Sequence, residues 1–99
     1  MRYLERKSEL LQRIINLIET KLDEILKFQN YQSFNDFLQK TINTSFVFEI
    51  YYELDVYFLK EGNTINKESL INLKNKLIEI NQKTKEELQK ELEIERLFA

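Results

Sequence analysis

The side chains of this chain that could do chemistry are carboxylates, lysines, arginines and tyrosines, because its 99 residues include no histidine and no cysteine. The nitrogen and sulfur ligand sets of zinc, haem, copper and iron–sulfur centres are therefore missing. Dyads and triads built on histidine or cysteine are missing with them. Carboxylates alone hold magnesium or calcium when their oxygens converge, usually from a glycine-kinked loop. The only glycine is Gly62, and no D-x-D-x-D-G run surrounds it. A loop that cradles phosphate needs several glycines. The expectation is a protein that is not an enzyme, with no catalytic residues, no cofactor and no metal.

Binding is the remaining chemistry, and the middle of the chain carries its signal. Residues 31–66 hold two basic and five acidic side chains, against six and five in 1–30 and seven and seven in 67–99. The same middle segment holds nine of the twelve aromatics. If 46–59 is a helix, Glu49 and Glu53 form one polar line with Tyr52 and Val56 beside it. Val47, Tyr51, Leu54 and Phe58 then point the other way. Glu49, Tyr52, Glu53 and Val56 are the candidate protein-binding residues, since mixed apolar and charged patches suit interfaces. An ordinary solvated helix edge is the plain alternative. Nucleic acid is not an expected partner: basic side chains alternate with acidic ones, and the cluster Arg2, Arg6, Lys7, Arg13 is small.

These residues need elements to position them. Leu4, Leu11, Ile15, Ile18, Leu22 and Ile25 fall close to one line at helical period, widened by Ile14 and Leu26. That predicts a long first helix, with Asn30 able to end it in the left-handed conformation. Ser33 with Asp36 reads as a reduced capping box for a helix from 34 to about 42, which Asn43, Thr44 and Ser45 could break or bend. The run Phe46 to Leu59 carries two signals. Every even position from Phe46 to Phe58 is apolar, which is the period of a strand. Fourteen residues exceed a usual strand of about five or six, and no second segment offers a pairing partner. Helix is therefore favoured, with Gly62 as its left-handed cap. Asn66 then caps a last helix over 67–97, with Ile65 and Leu70 placed as a hydrophobic staple. Leu70, Leu73, Leu77, Ile80, Thr84, Leu88 and Leu92 hold its core face. Its charged second half offers pairs four apart, Lys83 with Glu87 and Glu86 with Lys90.

The resulting expectation is an all-α fold: a single domain over 1–99, an antiparallel bundle of three long helices, or four if the second breaks near 43–45. No leader or membrane-spanning pattern is visible, so a cytoplasmic protein with no membrane partner is expected. The functional expectation is a small protein-binding module, an adaptor, chaperone or inhibitor acting through helix–helix contacts on another protein. The alternative is a self-assembling structural protein. A homodimer is expected because 46–59 is apolar on nearly all sides and a helix of that kind must be surrounded.

Overall fold

Residues 2–42, 47–60 and 62–98 are described in the computed structural model of the chain. The fold is all-α. Five helices follow one another: α1 (Tyr3–Thr20), α2 (Leu22–Ile25), α3 (Tyr31–Thr41), α4 (Phe48–Lys60) and α5 (Lys67–Phe98). The expected all-α bundle is present, but with five helices among the described residues where three long ones, or four, were expected; the additional one is the single-turn α2. The expected break or bend at 43–45 lies outside the described residues, although α3 has ended by Ile42.

Two corrections concern the first third of the chain. The apolar line runs on through Leu22 and Ile25, but the helix is interrupted at Lys21 (φ −123°, ψ 29°). Just before it, the Thr20 hydroxyl donates to the Asn16 carbonyl at 2.7 Å, a back-bond that bends helices. Asn30 does not end α2 in the left-handed region. It is extended (φ −152°, ψ 170°) and caps α3, its side chain accepting from the Ser33 N–H. The cap therefore sits three residues before the expected Ser33, and α3 begins at Tyr31.

The other termini follow local chemistry. Asn63 N–H donates to the Phe58 carbonyl at 2.8 Å and Gly62 N–H to that of Leu59 at 3.5 Å, the paired bonds of a Schellman ending for α4. Gly62 (φ +71°) and Asn63 (φ +60°) are both left-handed, as expected of Gly62. A Cβ at Gly62 would meet nothing closer than Thr64 Oγ1 at 4.0 Å, so an alanine there would suffer from backbone conformation and not from crowding. Gly62→Ala should lower stability by about 1–2 kcal/mol, read as a lower urea midpoint at unchanged slope. At α5, the Asn66 side chain accepts from Ser69 N–H at 2.8 Å while the Ser69 hydroxyl accepts from Asn66 N–H at 3.0 Å. That reciprocal box supports the expected cap.

The spine is the antiparallel pair α1–α5. Arg2 binds Glu91 and Glu95, Ser8 and Gln12 bind Asn81, and Glu19 faces Lys74. On α5 the contact positions 74, 81 and 95, with Leu88 between the last two, repeat every seven residues, as in a coiled coil. These two helices approach closely, whereas α3 and α4 stand further off. Their contacts are made by bulky rings, which set a wider spacing. Tyr31 stacks on Phe58 at 4.0 Å, and Phe28 tilts against Phe37 at 5.2 Å. The core combines Leu10, Leu11, Ile14, Ile15 and Ile18 of α1 with Phe34 and Leu38 of α3. It is completed by Val47, then Ile50, Leu54 and Phe58 of α4, and Leu70, Leu73 and Leu77 of α5. A 32-residue helix is about 48 Å long, which accounts for the long dimension of 51 Å in a molecule of 51 × 24 × 23 Å.

Candidate functional site

The helix at α4 separates the two tyrosines as its period requires. Tyr52 is 62% exposed, while Tyr51 is half-buried and its hydroxyl accepts from Asn35 Nδ2 at 3.0 Å. Glu49, Tyr52 and Glu53 lie exposed on the outer side of α4, and Val56 is half-buried beside them. The four expected residues do not behave as one group. Glu49 is engaged within the chain, accepting from Lys7 Nζ of α1 at 2.7 Å. That bond, helped by the Tyr3 hydroxyl, holds its carboxyl below the ordinary range. Tyr3 in turn is pushed above the ordinary phenol range, chiefly by burial and then by the charge of Glu49. Glu49 thus ties the start of α4 to α1.

Glu53 and Val56 belong to a different arrangement. With Tyr57 and Lys60 of α4, and Leu73, Lys76, Leu77 and Ile80 of α5, they line a cavity of about 60 Å³ between the two helices. Its floor is apolar and its rim carries one acid and two lysines. A cavity of that size has room for about two waters, far below the several hundred Å³ that usually enclose a small molecule. It is a dimple suited to a single protruding side chain. Tyr57 fixes its α4 wall by donating its hydroxyl to the Ser69 carbonyl at 3.1 Å.

A second hollow, of about 400 Å³, is lined by Tyr31, Gln32, Asp55, Phe58, Leu59 and Asn63 on the other side of α4. The Tyr31 hydroxyl is buried there without a well-formed hydrogen bond, and so, elsewhere on α3, is Asn35 Oδ1. The Tyr31 phenol is pushed far up, first by burial and then by the nearby charge of Asp55. Among the described residues Asp55 is the only carboxylate lining the hollow. Among the described residues no group of three acidic side chains is arranged to hold a metal ion, and no helix is long and apolar enough to cross a membrane.

Reasoning from sequence missed the end of α5. Ile94, Leu97 and Phe98 are 55%, 81% and 86% exposed. Their spacing of three and four places them on one side of the helix, about two-fifths of a turn from the core line of Leu88 and Leu92. That offset is the signal available in the sequence. The bonds Lys7–Glu49 and Ser8–Asn81 put the start of α4 level with Asn81. Past that level α5 runs another 17 residues, about 25 Å, flanked among the described residues by the first turns of α1.

The fold and this surface define an all-α bundle whose outer α4–α5 face combines a lined dimple with uncovered apolar side chains. Comparison with known protein families, characterised proteins and solved structures finds no match to this chain.

Proposed function

We propose that this chain is a small, non-catalytic protein-binding module of the cytoplasm, an adaptor, chaperone or inhibitor that engages another protein through helix–helix contacts. The observation that carries this reading is the outer α4–α5 face. It presents Tyr52, Val56 and the dimple beside Ile80, rimmed by Glu53, Lys60 and Lys76. A tyrosine one helical turn from an apolar depression, with charges of both signs around it, is the composition of an interface core with its rim. A helix presenting one protruding apolar side chain would fill the depression while its neighbouring residues pair with the rim.

The test is co-purification from the native host with mass spectrometry, comparing wild type with Tyr52→Ala and Glu53→Lys. Both side chains are exposed, so the melting temperature should stay within about 4 °C of wild type. One stoichiometric partner should be lost or weakened roughly tenfold by Tyr52→Ala. An identical partner set at undiminished yield in both variants would remove the face from consideration. A second reading, self-assembly, is favoured by the uncovered end of α5.

A further inference from the structure

The outer side of α5 carries a second row that the core does not use. Lys76, Ile80, Lys83, Glu87, Lys90, Ile94 and Leu97 follow each other at intervals of four and three, the spacing of a coiled-coil seam. All are exposed except Ile80, which is half-buried at the dimple. Within the chain Lys83 pairs with Glu79 at 3.6 Å. The expected pairs Lys83–Glu87 and Glu86–Lys90 are not formed among the described residues, which leaves Glu87 and Lys90 without an ion pair inside the chain.

The row is complementary to itself when reversed. Laid antiparallel about a point between residues 88 and 89, position i faces position 177 − i. Ile80 then meets Leu97, Lys83 meets Ile94, and Glu87 meets Lys90, each twice by symmetry. The most exposed apolar residues thus fall on the dimple, and the central layers join opposite charges. Phe98, next to Leu97, is carried over Val56 and Glu53. The stem of Lys83 covers Ile94 while its ammonium stays with Glu79.

We propose that the occupant of the α4–α5 face is the end of α5 from a second copy of this chain, giving a closed two-fold dimer with Leu97 and Phe98 of each copy seated beside Ile80 of the other. This rests on reading that face as a helix-contact surface. The area is sufficient. Three side chains of roughly 150–200 Å² each, more than half uncovered, with matching groove and counted twice, give about 1,000–1,600 Å² in total, within the range of specific interfaces. The geometry also closes on itself: a knob and a hole on one molecule otherwise build open fibres, and the antiparallel row brings both contacts together at once. Within one chain Val47, Ile50, Leu54 and Phe58 of the α4 region are fully covered, while Tyr52 and Leu59 of the same segment stay exposed.

Sedimentation equilibrium over about 1–200 µM tests the proposal, a range that reports dissociation constants from tight to weak. Wild type should populate the dimer. Leu97→Asp with Phe98→Asp, both at exposed positions, should remain monomeric with an unchanged circular dichroism spectrum. Glu87→Lys or Lys90→Glu alone should weaken association several-fold by facing like charges, and the two together should restore it. A monomeric wild type, a dimer that survives Leu97→Asp with Phe98→Asp, or a double charge exchange no better than the singles would each overturn it. The partner reading fails separately. A monomeric wild type whose partner is still lost on Tyr52→Ala leaves that reading standing, and a charge-restored dimer with an unchanged partner set removes it.

Discussion

Phe58→Ala should lower the unfolding free energy by about 3–5 kcal/mol, the range for removing a fully buried ring from a packed core. Phe58 is 1% exposed and occupies the centre of the ring cluster that holds α3 against α4. Tyr31 stacks on it at 4.0 Å, Tyr57 meets it edge-on at 5.4 Å, and Phe34 lies at 6.3 Å. Alanine would leave a cavity bounded by rings that are themselves anchored, Tyr57 through Ser69 and Phe34 through the capped first turn of α3. Such walls relax little, which places the loss toward the upper part of the range. For a domain of this size, with stability of about 5–15 kcal/mol and about 4–8 °C per kcal/mol, the melting point should fall by 15 °C or more. Urea denaturation checks it, with Tyr52→Ala one and a half turns away as the exposed control. A loss below about 1 kcal/mol would mean that α3 and α4 are not held by these rings.

The parts of the fold legible in the sequence are those decided within a few residues or by one dominant face. Asn66, Ile65 and Leu70 announced the start of α5, because a cap and its staple involve only adjacent turns. Gly62 announced the end of α4 for the same reason. The core line through Leu70, Leu73 and Leu77 was equally plain. In α4 the helical row Val47, Ile50, Leu54, Phe58 was overlaid by apolar Tyr52 and Val56 on the outer side, and this overlay produced the apparent strand period. Val56 lines the dimple and Tyr52 lies one turn before it, so the residues that blur the pattern are also members of the candidate site. Asn30 was misassigned because a capping asparagine looks alike at the end of one helix and the start of the next. Only the backbone direction decides, and that depends on how α3 packs. The interruption at Lys21 was invisible because the buried face continues across it through Ile25. The outer row of α5 was hidden by composition: four of its seven positions are charged, and a seam of that kind is read from spacing and exposure together, not from hydropathy.

Leu88→Asp should destabilise the chain by about 1–3 kcal/mol, while trimming residues 93–99 should cost a small fraction of that. The two changes affect the same end of α5 with opposite chemistry. Leu88 lies on the line of positions 74, 81 and 95 that meets α1, and is half-buried there, as are Leu92 on α5 and Leu4 on α1. A carboxylate at 88 would be drawn from water into an apolar strip with acidic neighbours Glu91 and Glu95 already committed to Arg2. Trimming instead removes Ile94, Leu97 and Phe98, which cover almost nothing within the chain, together with the ion pair of Glu95. That pair lies at the surface, with Arg2 half-buried and Glu95 exposed, and surface pairs contribute little once solvent screens them. Thermal melts should be run at a few micromolar, so that any second copy does not add its own stabilisation to wild type. Equal and negligible shifts would show that α1 and α5 separate beyond Asn81 and that Leu88 is solvated. A larger loss on trimming than on Leu88→Asp would show that the final two turns hold the pair together, which their exposure argues against.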